Sequence, residues 1–202
     1  MQGIGARLAG NGFEVLVMEL RGHGIRPGPC TFGARETEDA LAILQWAENQ
    51  SGHLPIGLLG FSMGATVMCQ AATRLAEVKA LVADSIYAEL FPILSRGLWQ
   101  ERRLPRFPFA WCTWAGLQLA LGVSLKRFDA TYTAEKLNIS LLLIEGGQDR
   151  RVPRRWVDDW YARWAGNKER WCDAEAGHVG VFPKNPSAYA SRVSEFFERM
   201  LR

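Results

Sequence analysis

Short apolar runs alternate with amphipathic stretches along this chain. FEVLVM (residues 13–18), PIGLLG (55–60), KALVAD (79–84) and ISLLLIEG (139–146) are apolar on both faces and end in turn residues. That pattern predicts buried parallel strands, with ERWCDA (169–174) as a weaker fifth. Between them, residues 34–50 place Ala40, Ile43, Leu44 and Ala47 on one helical face. Residues 153–165 begin with proline in the first turn, stripe Trp156, Val157, Trp160, Tyr161 and Trp164, and stop before Gly166. Residues 186–201 follow a capping Asn185 and align Tyr189, Val193, Phe196, Phe197 and Met200. Another helix, ATVMCQAATRLAEV, follows the second run.

Alternating strands and helices predict an α/β fold, a mainly parallel sheet flanked by helices, as one domain over residues 1–202. The rhythm breaks over residues 85–137, a stretch rich in Trp, Pro and Arg that reads as an insertion and is expected to form a mostly helical lid. Its Trp99, Phe107, Phe109, Trp111 and Trp114 suit an apolar acyl or aromatic group, or a core of the lid itself.

The 202 residues suffice for one well-buried domain. A net charge of +3 is mild. The arginines cluster at Arg102, Arg103 and Arg106 and at Arg150, Arg151, Arg154 and Arg155, without the motif or aromatic alternation of a nucleic-acid reader, so no nucleic-acid partner is expected. Cys30, Cys69, Cys112 and Cys172 are widely spaced and form no CxxC pair, which argues against a metal site and a disulfide framework and fits a reducing compartment. No leader is visible, so the expected location is cytoplasmic. The apolar run 107–125 approaches membrane-spanning length, but Pro108 and Gln118 interrupt it, and a helix over a core or pocket is expected instead.

The chemistry concentrates in GFSMG, where Ser62 sits between a predicted strand and a predicted helix. A serine at such a turn can be held strained with its hydroxyl exposed, while the helix N-terminus favours developing negative charge. A hydroxyl is a weak nucleophile and needs a base, and the base needs an orienting acid. His178 in AGHVGVF and Asp149 in EGGQDRRVP each follow a predicted strand. The order Ser62, Asp149, His178 brings all three to the carboxyl edge of a parallel sheet. Among the alternatives, His23 reads as a loop-packing histidine, His53 as solvent-facing, and Asp84 as a second choice of acid. Asp173 lies too near the start of the histidine loop, and Cys69 reads as helix packing.

These motifs resemble the α/β-hydrolase superfamily, in its branch of small serine esterases and serine-aminopeptidase-like hydrolases. GFSMG matches the nucleophile elbow, LLLIEGGQDRRVP the acid loop, AGHVGVF the histidine loop, and LVADSIYAEL the start of the lid. VLVMELRGHG resembles a loop that commonly reads D-x-R-G-H-G, with Glu19 in place of the aspartate. The resemblance implies a serine hydrolase acting on a small-molecule ester, thioester or amide through an acyl-serine. Ser62 would be the nucleophile, His178 the base, Asp149 the acid and the Met63 backbone N–H an oxyanion donor, with no cofactor and no metal.

It also bears on MQGIGARLAG. Gly3 and Gly5 look like the start of a phosphate-cradling loop, but only Met1 and Gln2 precede them. In the family this stretch matches the first helix, so the first three strands and the loop giving the second oxyanion donor would be missing. An N-terminally incomplete chain is the first explanation, and a naturally short one the second. Residues 13–18 and 55–60 would then pair directly or leave unpaired edges, which would favour self-association. A non-catalytic hydrolase-like binding protein is the competing function.

Overall fold

The computed structural model describes residues 2–52 and 54–202. Helices α1 (Gln2–Gly10) and α2 (Glu36–Ser51) precede the alternating core of β1 (Ile56–Phe61), α3 (Met63–Ala72) and β2 (Val78–Asp84). After the insertion come β3 (Ser140–Gly146), α6 (Arg155–Ala162), β4 (Lys168–Asp173), α7 (Val181–Lys184) and α8 (Pro186–Met200). The insertion itself holds α4 (Leu90–Arg102), a π-helical turn (Arg106–Ala110) and α5 (Trp111–Leu121). Four of the five predicted strands form, in the order β1-β2-β3-β4, all parallel. The register aligns Phe61 with Asp84, Asp84 with Ile144, and Gly146 with Asp173, so the carboxyl ends of all four strands lie close together.

The central strands β2 and β3 bury both faces, which is why they read as apolar runs, whereas edge strand β4, KERWCD, has no buried residue and is the weakest of the patterns. Leu81, Ala83, Leu141 and Leu143 face one way, into a core shared with α2, α3 and α6. Ala80, Val82, Leu142 and Ile144 face the other way, towards α1 and α8. The sorting is the period of two that a pleated strand imposes.

Residues 13–18 depart from the expected pattern: they form no strand. Among the described residues β1 pairs with β2 alone, so this segment runs beside the helices without a ladder and leaves an unpaired edge. Apolar content drew it onto the core's margin, where Phe13 packs edge-on against Phe197. Hydrogen bonding needs a neighbouring strand, and no hydropathy pattern supplies one. Leu16 stays 51% exposed. The glycines of the first helix find their use here. A Cβ on Gly5 would lie 2.8 Å from Val17 Cγ2, so Gly5 lets α1 approach this segment closely.

Two helices are shorter than their patterns. α3 ends at Ala72 and gives way to a turn before β2, and α6 covers only the middle of residues 153–165. The insertion is helical between β2 and β3, as expected, but its two roots belong to the main core. Ile86, Tyr87, Leu90, Leu125, Ala130 and Leu137 are buried there, and the Trp160 indole N–H donates to Ala130 O at 3.0 Å. None of the residues of α5 is buried. The 107–125 run is divided between the π-helical turn and α5, and among the described residues no helix is long and apolar enough to cross a membrane.

Candidate active site

Ser62 is the single residue between β1 and α3, and its backbone is at φ 51°, ψ −118°. A non-glycine residue there is strained by about 1–3 kcal/mol and persists only where its surroundings hold it. Three bonds do so: Ser62 N–H donates to Asp84 O at 2.8 Å, and Ser62 O accepts from Ala65 N–H at 3.0 Å and Thr66 N–H at 3.3 Å. Gly60 makes the turn possible sterically. A Cβ there would stand 2.5 Å from the Ala65 nitrogen, a contact no rotamer change can relieve. Met63 opens α3, where the first N–H groups have no partner within the helix and point towards the Ser62 side.

Asp149 and His178 arrive on neighbouring loops, after β3 and β4. The loops are stitched together by Gly147 N–H to Asp173 O at 2.7 Å and Gln148 N–H to Ala176 O at 2.9 Å. Asp149 Oδ1 accepts from the Arg151 and Val152 N–H groups, both at 2.8 Å, which leaves Oδ2 facing His178 Nδ1 at 2.8 Å. The other ring nitrogen, Nε2, lies 2.9 Å from Ser62 Oγ. With Asp149 ionised, Nδ1 carries the proton and donates, and Nε2 is left to accept from the serine hydroxyl. The Asp149 side chain is almost fully buried, and that of His178 keeps 18% of its surface in solvent. The structure therefore brings together Ser62, Asp149 and His178.

A further layer was not legible in the sequence. Buried Ser85, itself at φ 53°, accepts from the Val179 N–H at 2.9 Å and donates to Asp84 Oδ1 at 2.8 Å. The Tyr189 hydroxyl donates to Asp84 Oδ2 at 2.9 Å. Thus Asp84, the second-choice acid, makes no hydrogen bond to His178 and instead holds Ser85, which anchors the residue next to it. Burial pushes the Asp84 carboxyl up to about 6, partly offset by its two hydroxyl donors. Its position at a strand end was visible in the sequence, whereas its partners on Ser85 and α8 are tertiary contacts.

Glu36 is a second such residue. It is fully buried and accepts from Thr31 N–H, Thr31 Oγ1–H and Gly33 N–H at 2.6–2.8 Å, fixing the loop that carries Cys30 beside Met63. A T-x-G-x-x-E spacing is the only local trace of that role. The remaining candidates lie elsewhere. His23 is exposed rather than packed and donates through Nδ1 to Arg21 O at 3.0 Å. His53 lies outside the described residues. Asp173 caps its loop and pairs with Lys184, and Cys69 is buried beside Thr133, its thiol pushed up to about 12 by burial. Among the described residues no cluster of His, Cys, Asp or Glu is arranged to hold a metal ion. An apolar groove of about 590 Å³, lined by Leu16, Val17, Ile43 and Trp46, shares none of its lining with the triad.

Comparison with known proteins bears on the family. Residues 2–192 match the model of the alpha/beta hydrolase family. The human protein ABHD12B is 31% identical over 176 residues, which cover 81% of this chain and 46% of that protein. The chain thus spans about half the length of this curated relative. Among solved structures, the Pyrococcus furiosus esterase Pf2001 is 27% identical, with a TM-score of 0.80 over 100% of this chain and 76% of its own. An esterase from Exiguobacterium antarcticum shares the fold at 15% identity, with a TM-score of 0.67 over 98% of this chain and 86% of its own.

Proposed function

The chain belongs to the alpha/beta hydrolase family, and from that premise we propose that it is a serine hydrolase working through an acyl-Ser62 intermediate. The observation that carries this reading is the unbroken relay from Asp149 through His178 to Ser62, at 2.8 and 2.9 Å. In it, Ser62 Oγ attacks the carbonyl carbon of an ester, thioester or amide while His178 Nε2 takes the hydroxyl proton. Asp149 keeps the ring in the accepting tautomer and stabilises the imidazolium. The tetrahedral oxyanion is met by the Met63 N–H and the positive end of α3. Collapse breaks the bond to the leaving group, which departs with the proton from His178. Water, deprotonated by the same nitrogen, then attacks the acyl carbon and frees Ser62. The similarity to an esterase supports an ester as the first substrate class to test.

Residues 85–137 act as a lid on a single domain, because their roots are core and their middle is not. The unpaired edge beside residues 13–18 favours self-association. The test is labelling with a fluorophosphonate probe. The native chain should be modified at Ser62, and Ser62→Ala should not be. A folded native chain that resists the probe would turn the assignment towards a ligand-binding protein without catalysis.

A further inference from the structure

An ordinary helix of a globular protein hides an apolar stripe and shows a polar face. α5, WCTWAGLQLAL, packs Trp114, Leu117 and Leu121 only partly against the core and shows no charged face. It carries no charge and is apolar around most of its circumference, yet none of its residues is buried. The π-helical turn before it buries only Ala110. Phe107 is 77% exposed and, on α5, Leu119 is 86% exposed, with Trp99 on α4 and Trp111 also outward. Neighbouring aromatics left in water on one element form the kind of patch that marks an interaction surface.

The charges around this patch say what it would meet. From Arg102 to Phe128 the sequence has five cations, Arg102, Arg103, Arg106, Lys126 and Arg127, and no acid. All five are exposed, and among the described residues none pairs with a carboxylate. Arg106 instead lies over the Phe91 ring, 5.1 Å from its centre. Tryptophan and phenylalanine beside arginine and lysine, on a short helix with no acidic residue, is the composition of a segment lying in a bilayer interface. A second copy fits less well, since a two-fold contact would set these cations against themselves.

We propose that the face formed by the C-terminal half of α4, the π-helical turn and α5 docks on an anionic phospholipid surface. The aromatics enter the headgroup region and the five cations meet the lipid phosphates and carboxylates. This places the docked face next to the hydrolytic site. The Arg96 guanidinium and the Gln100 amide of α4 both donate to Arg150 O, the residue after Asp149, and Arg151 pairs with Glu101 at 3.2 Å. The surface does not depend on Ser62 chemistry.

The 202-residue chain and its Ser62→Ala variant would be sedimented with vesicles of phosphatidylcholine alone and of phosphatidylcholine containing phosphatidylserine, at low and high salt. Both proteins should bind the anionic vesicles at least about tenfold more tightly, and high salt should erase most of the difference. Joint reversal of Arg102, Arg103 and Arg106 to Glu should reduce the anionic preference by about tenfold or more. Phe107→Ser with Leu119→Ser should weaken binding to both vesicle types, and native circular dichroism of each variant excludes unfolding as the cause. Equal binding to the two vesicle types, or binding unchanged in both variants, would overturn the proposal. So would self-association of the native chain that Phe107→Ser with Leu119→Ser abolishes, because the face would then belong to a second copy.

Discussion

Asp84→Asn separates the two carboxylates near His178 and has a magnitude that follows from the structure. Asp84 is fully buried, accepts one hydroxyl proton from Ser85 and one from Tyr189, and is pushed from 3.8 up to about 6, chiefly by burial. A carboxyl whose value is raised on folding binds more protons in the native than in the unfolded chain between those two values. The stability it confers is therefore greatest below pH 3.8 and declines until about pH 6, above which it is level. At 1.36 kcal/mol per pH unit, ionisation of Asp84 costs the fold about 3 kcal/mol across that window. Asparagine stays neutral throughout and keeps an amide in the same place. The stability of Asp84→Asn relative to the native chain should thus improve by about 2 kcal/mol between pH 4 and pH 7. Urea unfolding at a series of pH values measures this difference, in which Asp129, also raised to about 6 by burial, cancels. A difference that stays flat with pH would refute the reasoning. Activity provides the second readout. Asp84 touches Ser85 and not the imidazole, so turnover on a small ester should fall by less than about tenfold, against about 10⁴ for the group orienting the base.

That larger loss is expected for Asp149→Asn, which keeps the shape but favours the wrong tautomer; steady-state kinetics should show a fall in kcat on the order of 10⁴. Gly60→Ala drives a methyl into the Ala65 backbone. Thermal unfolding should show a loss of about 2 kcal/mol or more, together with loss of fluorophosphonate labelling, and a native-like elbow in this variant would count against the close-approach account. Ser85→Ala removes the acceptor of the half-buried Val179 N–H, at a cost of about 1 kcal/mol, and should lower kcat more than it raises KM, because the residue beside His178 loses its anchor. Leu16→Ser, on the half-exposed unpaired segment, should leave stability within about 0.5 kcal/mol and reduce any association seen by light scattering.

The sequence by itself determined the central parallel strands, because β2 and β3 are buried on both faces and so read as apolar runs, while β4 at the edge carries only a weak signal. It also determined which serine, histidine and aspartate would meet. Those three follow strands, and parallel strands with a common direction deliver their following loops to one edge. Tertiary structure decided what periodicity cannot encode. Residues 13–18 have the apolarity of a strand without becoming one, since a ladder depends on a neighbour and not on the segment. Asp84 looked like a spare acid until Ser85 and Tyr189, 105 residues away on α8, took up its oxygens. The insertion's roots and its exposed middle share one composition in the sequence. They part company in space because Leu125 and Ala130 find α3 and α6 to pack against, while Phe107 and Leu119 find no covering element. Hydrophobicity states that a side chain favours leaving water, and only the packed chain settles whether another surface is there to receive it.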